Sequence, residues 1–198
     1  MRLFLLLFFS AFSVNAFDYY SVGGSLGFGN IRDSKDFSLG AYGRGDFTAY
    51  TNYFYAGASI GLASWKYSGF DTEERIFSTP ICVTMGTSSF MSGSVLDSWR
   101  YSFGLALGYN QGLLNHKYQD STNEIHSENL TSSNFTLYLE GTALFNVSKE
   151  LYLGPTLTYR FGSLSFKDEP FSGGHFASKY TLDGFSVGVT VYHFWGNF

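Results

Sequence analysis

The sequence predicts an all-β fold, an eight-stranded antiparallel up-and-down transmembrane β-barrel. Three observations predict it: a cleavable leader, period-two alternation in eight long segments, and connections that are long on one side and short on the other. Composition sets the frame. Charged residues are 14% and aromatic residues 20%, with 23 Gly against 3 Pro, whereas an average domain is nearer a quarter charged. Mean hydropathy is only −0.02, because Ser, Thr, Asn and Gly dilute the apolar residues. A net charge of −4 argues against a nucleic-acid partner. The lone Cys82 leaves no intramolecular disulfide to hold the fold.

The leader comes first. Residues 1–16, "MRLFLLLFFSAFSVNA", carry one cation at Arg2, an apolar run from Leu3 to Phe9, and small residues at Val14 and Ala16. That is the pattern of a secretory signal peptide, too short for a spanning helix. The residue directly after the cleavage point is Phe17 and not cysteine, which argues against a lipoprotein. Residues 17–198 then form one domain.

Eight alternating segments follow, at about 17–29, 37–50, 53–65, 75–87, 98–110, 133–146, 151–162 and 180–194. In "FSLGAYGRGDFTAY" Ser38, Tyr42, Arg44, Asp46 and Thr48 share one face, and Phe37, Leu39, Ala41 and Phe47 the other. In "WRYSFGLALGYN" Trp99, Tyr101, Phe103, Leu105, Leu107 and Tyr109 oppose Arg100, Ser102, Gly104, Ala106, Gly108 and Asn110. "NFTLYLEGTALFN" repeats the pattern, with Phe135, Leu137, Leu139 and Phe145 opposite Thr136, Tyr138, Glu140 and Leu144. A soluble sandwich alternates as well, so alternation leaves the direction open. Length does not. Segments of about 11 to 15 residues are long for globular strands, and tilted strands of roughly nine to eleven residues cross a bilayer.

The connections sharpen this. Links 29–37, 65–75, 110–133 and 162–180 are polar and long, while 50–53 and 146–150 are very short. Long loops on one side and tight turns on the other mark bacterial outer-membrane barrels. The link 87–98 is the misfit. Aromatic residues fall in two bands, one with Tyr20, Tyr53, Phe54, Trp99, Tyr101, Phe145, Tyr152, Tyr192 and Trp195, the other with Phe28, Trp65, Tyr67, Tyr109, Phe135 and Phe161. Such girdles are expected at the two membrane interfaces.

The last segment, "GVTVYHFWGNF", ends the chain on Phe198. Gly188, Val189, Val191, Tyr192 and Phe194 reproduce a Gly-apolar-x-apolar-Tyr-x-Phe pattern. Here the chain resembles the small OmpA/OmpX-type, opacity-like outer-membrane barrels of Gram-negative bacteria. The resemblance implies that the terminal strand is read by the barrel-assembly machinery, with Phe194 or Phe198 as the residue read. It also implies contact with outer-membrane lipid and lipopolysaccharide. A physical reason stands beside it: backbone groups in hydrocarbon must all be paired, so the last strand must close on the first.

Eight strands enclose an interior that side chains fill. Arg44, Asp46, Arg100, Glu140, Arg160 and Asp183 fall on the inward face, and unpaired charges there are costly, so they are expected to form an ion-pair network. Chemistry is sparse. "NEIHSEN" places Glu124, His126, Ser127 and Glu128 close together and "GGHFAS" places His175 near Ser178, but in loops and without the His-x-Ser pattern of outer-membrane lipid A deacylases. His116 and His126 share one loop at a spacing that is no metal signature. No catalytic residue, metal or cofactor is expected. The longest link, 110–133, is expected to be a dispensable surface loop, with Lys117, Asp120, Glu124, His126 and Glu128 as candidates for binding a surface ligand. Three function classes remain: a non-enzymatic barrel displaying loops, a narrow pore or lipid A-modifying enzyme, and a soluble lipocalin-like carrier. The inward charges oppose the third.

Overall fold

The computed structural model describes residues 17, 19–32, 37–51, 53–68, 72–90, 99–119, 122–148, 150–166 and 179–196. The leader, Asp120, the segment with His175 and Ser178, and Phe198 lie outside the described residues. Eight long strands run β1 Tyr19–Arg32, β2 Phe37–Tyr50, β3 Phe54–Ser68, β4 Thr72–Phe90, β5 Trp99–Gln119, β6 Ile125–Ser148, β7 Leu151–Ser165 and β9 Gly184–Gly196. A three-residue strand, β8 Lys179–Thr181, precedes the last.

Every pairing is antiparallel, and β9 closes the barrel by pairing with both β7 and β1. The register fixes the tilt. Starting at Tyr109 on β5, successive partners are Ile81, Ile60, Gly45, Gly24, Val191, Leu153 and Phe145, and the path returns to β5 at Trp99. The offset is 109 − 99 = 10 residues of shear. Eight strands with that stagger tilt by roughly 40°.

The strands form where the alternation predicts, and they settle its direction. Leu105 and Leu107 are 47% and 52% exposed, while Ala106 between them is 1% exposed. Leu26, Phe28, Ile60, Leu62, Phe103, Phe135, Val187 and Val189 are likewise exposed. A continuous apolar outer wall has no place in water and suits lipid. The inner face carries the packed residues, among them Trp65, Tyr138, Tyr152, Tyr192 and Phe194.

Several strand ends differ from the sequence reading. β4 starts earlier and ends later than 75–87. β5 and β6 continue to Gln119↔Ile125, so most of the link 110–133 is a ladder and not a loop. The reason is packing: Leu114 is fully buried, and Leu130 packs against the same cluster. The last segment is broken at Leu182 and Asp183, which lie in neither β8 nor β9. Trp65, Tyr152 and Tyr192 point inward, so they belong to the interior and not to the girdles. Their positions on inward-facing alternation outrank their aromatic character.

Candidate functional site

The lumen is filled at three levels, and each level is set by strand register. At the lower end, Tyr50, Tyr55, Leu144, Tyr152, Tyr192 and Phe194 form a buried cluster with Tyr19 packed against it. Phe194 lies between Tyr50 and Tyr152, at ring separations of 5.3 and 5.0 Å. Arg100 enters this cluster with its guanidinium carbon 4.1 Å from the centre of Phe194, 4.5 Å from Tyr152 and 5.7 Å from Tyr19. A cation over ring faces is attracted by the aromatic quadrupole. Arg100 therefore stands among aromatic rings, away from the carboxylates with which the sequence groups it.

In the middle, three of the six predicted charges meet. Arg44 Nε lies 2.7 Å from Asp46 Oδ1, and Arg44 Nη1 pairs with Glu140 Oε1 from the opposite wall. Tyr192 donates its hydroxyl to Asp46 Oδ2 at 3.1 Å. Arg44 and Glu140 sit 96 residues apart in sequence. Arg44 lies six residues above the end of β2 at Tyr50 and Glu140 eight above the end of β6 at Ser148, so the stagger of the strands is what brings them level.

Above the ion pairs, Asn110 links Ser78 and Tyr138: Ser78 Oγ donates to its Oδ1 at 2.9 Å, and its Nδ2 donates to Tyr138 Oη at 3.0 Å. Cys82, Ala106 and Tyr138 pack beside them. The upper end is apolar, built from Ala63, Trp65, Ile76, Leu114, Leu164, Phe166 and Leu182. Arg160 crosses from β7 to β1, donating from Nη2 to the Asn30 carbonyl at 2.6 Å, with its guanidinium carbon 4.9 Å from the Trp65 ring centre. Asp183 has a different task. Its Oδ1 accepts the Gly162 amide at 2.8 Å, while the Leu182 amide donates to the Gly162 carbonyl. These bonds satisfy β7 where β8 and β9 are interrupted, and the interruption turns Leu182 into the upper cluster. Arg160 and Asp183 thus stand outside the Arg44 cluster among the described contacts.

The large inward rings fit because glycines face them. A Cβ at Gly27 would stand 2.7 Å from Tyr42 Cε1, and one at Gly108 would stand 2.8 Å from Tyr138 Cε2. Both are nearer than real Cβ contacts come, and the Val187 carbonyl oxygen, nearer still to the first, and Cys82 Sγ, 2.7 Å from the second, close the same positions, so neither has room for a side chain beside the ring. Between the middle and upper levels remains a cavity of about 50 Å³, lined by Tyr42, Arg44, Trp65, Cys82, Tyr138 and Arg160 among others. That volume suits a few waters and no larger solute.

The remaining predicted residues fall elsewhere. In β9, Val189 and Val191 face outward, while Gly188, Tyr192 and Phe194 are buried inside. The five residues of the terminal pattern therefore split between two faces. Lys117 and Glu124 are exposed near the tip of the β5–β6 hairpin, and His126 is half-buried. Glu128 pairs in register with His116, and its side chain lies outside the described residues. His126 and Ser127 are adjacent in β6, so their side chains leave opposite faces. That geometry opposes a Ser-His couple. No group of three or more His, Cys, Asp or Glu able to hold a metal occurs among the described residues. Sequence reasoning missed the upper apolar plug. Its signal was present in Leu114, an inward-phase apolar residue four positions beyond the assumed strand end at 110, and in Leu182 near the start of the segment 180–194.

No family model and no curated protein matches the chain. Solved structures do. The solid-state NMR structure of the outer membrane protein AlkL in DMPC lipid bilayers is similar over 92% of this chain and 92% of that one, with a TM-score of 0.51 and 8% identity. Neisserial surface protein A aligns at a TM-score of 0.49 and 12% identity, covering 88% of this chain and 96% of that one. The attachment invasion locus protein Ail of Yersinia pestis aligns at 0.45 and 10%, covering 90% and 99%. The fold is that of the small eight-stranded outer-membrane β-barrels.

Proposed function

We propose that the chain is an integral outer-membrane barrel without enzymatic activity, a stiff envelope element that acts through what it displays beyond the membrane. In this reading the leader carries it across the inner membrane, and the terminal strand is read by the barrel-assembly machinery. The surface partner meets the β5–β6 hairpin. One contrast carries the proposal. The lumen is packed at three levels, while the ladder of β5 and β6 runs on to Gln119↔Ile125, past the point where β6 leaves β7 at Thr136↔Gly162. A barrel that transports through its lumen needs a path, and a barrel that binds needs a rigid projection. This chain has the second.

Two measurements test it. Fractionation with heat-modifiable gel mobility should place folded protein in the outer membrane; recovery from the periplasm or medium would favour a soluble carrier. Planar-bilayer recording of the purified protein should give no stable conductance, and steady unitary steps would favour the narrow pore. The surface role is read by joining Asn115 directly to Asn129. That cut removes Lys117, Glu124, His126 and Glu128 but leaves Leu114 and Leu130 in the cluster. Assembly should persist while surface binding falls.

A further inference from the structure

The ladder of β3 and β4 runs from Phe54↔Thr87 to Ile60↔Ile81 and resumes only at Ala63↔Ser78. Gly61 and Leu62 therefore lack partners on β4, although both stay paired with β2. The cause is Pro80, which stands opposite Gly61 in that register. Proline has no N–H to give to a ladder, so the Gly61 carbonyl loses its donor on this side. The outward neighbours Ile60, Leu62 and Ile81 are exposed apolar side chains. The gap thus lies in the lipid-facing wall, where an unpaired carbonyl finds no bulk water.

Behind this gap is the lumen cavity of about 50 Å³. Its lining takes in Gly61, Pro80 and Cys82 and also Leu62, whose side chain points outward and is 69% exposed. The empty space therefore reaches into the thickness of the wall. Gly61 has no side chain to fill it: a Cβ there would meet Pro80 Cγ at 3.1 Å and the Gly43 carbonyl at 3.2 Å. The two plugs close the lumen above and below, so the wall is the thin side. A second gap shows the contrast. Pro155 interrupts the β6–β7 ladder between Thr142↔Thr156 and Phe145↔Leu153, but there the Ala143 carbonyl and the Leu144 backbone crowd Gly154. That gap is sealed.

Polar groups at the cavity state what fits it. The Tyr42 hydroxyl is buried with no hydrogen-bond partner among the described residues, a costly state unless an occupant supplies one. Tyr42 can donate, the Gly61 carbonyl can accept, and a hydroxyl group does both. The volume takes roughly two or three heavy atoms. We propose that the cavity is a binding site for a small uncharged hydroxyl compound, entered sideways from the membrane through the gap at Pro80. The site rests on the membrane reading above. Because both plugs stay shut, it binds without offering a passage.

Cys82 lines the cavity and is the only cysteine of the chain, so its thiol reports entry. The full mature chain is folded in phosphatidylcholine nanodiscs and treated with methyl methanethiosulfonate, small and uncharged, or with its trimethylammonium-ethyl analogue. Each transfers its alkylthio group to the Cys82 thiolate as a disulfide and releases methanesulfinate, and intact-mass measurement follows the rate. The uncharged reagent should react at least about tenfold faster, because hydrocarbon excludes the charged one. Pro80→Ala restores an N–H opposite Gly61 and should slow the uncharged reagent about tenfold. Pro155→Ala should leave the rate as in the parent, and ethanol in the buffer should lower it by occupying the cavity. Heat-modifiable mobility reports folding separately, and a chain that does not insert would fail the membrane reading instead. Equal rates for the two reagents, or no reaction of the folded parent with either, would overturn the side entrance. So would a Pro80→Ala rate equal to the parent's, or an upper-plug variant, Leu182→Ala, that speeds both reagents alike. No effect of ethanol would overturn the ligand and leave a pocket for water alone.

Discussion

The two ends of the lumen are both plugged, but by different means. The lower plug is aromatic and holds a cation: Tyr50, Tyr55, Tyr152, Tyr192 and Phe194 surround Arg100. The upper plug is mostly aliphatic: Ile76, Leu114, Leu164 and Leu182 join Trp65 and Phe166. Lower residues come from regular strands that pair on both sides. Of the upper residues, Ala63, Trp65, Ile76 and Leu114 come from paired strands as well, while Leu164, Phe166 and Leu182 come from the end of β7 and the break before β9, where pairing changes. The lower end is closed by the barrel wall itself. The upper end is closed by the wall together with the segment that follows β7 and the one that precedes β9.

The largest effect is expected between the plugs. Glu140→Ala removes the partner of Arg44 from the opposite wall and leaves a buried guanidinium facing only Asp46. Breaking such a pair costs roughly 3–5 kcal/mol. Urea unfolding in detergent or vesicles measures it, and a loss below about 1 kcal/mol would mean that water already screens the middle level. The double change Glu140→Leu with Arg44→Leu should recover most of the loss, because matched apolar replacements of a buried pair are often neutral.

Next come the plugs themselves. Phe194→Ala should cost about 3–4 kcal/mol, the range for a buried aromatic side chain. Leu182→Ala should cost about 2–3 kcal/mol, and Leu114→Ala a similar amount. If the two ends close independently, Phe194→Ala and Leu182→Ala should add within about 0.5 kcal/mol. Strong coupling, read from the double variant, would show that the middle level transmits strain between them.

A direction test ranks beside these. Leu105→Arg on the outer wall should cost about 2–4 kcal/mol near the bilayer midplane, measured by folding into lipid vesicles. Arg at exposed Asn123 should cost only about 1 kcal/mol, the strain of a longer side chain at a φ of 65°. Equal tolerance at the two positions would break the contrast between wall and hairpin.

The smallest effect is expected at the lower rim. His193 Nε2 lies 3.5 Å from Glu150 Oε2, and both side chains are about half exposed. His193→Gln should change stability by less than about 0.5 kcal/mol, as for exposed ion pairs generally. The strap is kept by the backbone in any case, since the Phe194 amide donates to the Glu150 carbonyl at 2.8 Å.

Part of the candidate site was legible and part was not. Arg44, Asp46 and Glu140 could be read as facing one lumen because alternation assigns the face; strand register decided that they meet at one height. Arg100 could be assigned an inward face but not a partner, because nothing local to "SWRYS" says that Phe194 arrives beneath it from the far end of the chain. Asp183 looked inward by phase and serves a backbone amide instead, because the strand breaks beside it. The terminal pattern was read as one signal, yet Val189 and Val191 face away from Tyr192 and Phe194. A motif written along the chain does not say which of its members share a face.

The sequence by itself determined the all-β class, the number of long strands, and which residues of each strand share a face. These are local properties, since period-two alternation follows from the pleat of a single chain. Tertiary structure decided where strands end, which charges meet, and what seals the upper lumen. Each of those depends on neighbours tens of residues distant: Leu114 stays in a strand because Trp65, Ile76 and Leu164 bury it, and the ladder continues past the barrel because that burial holds it in place.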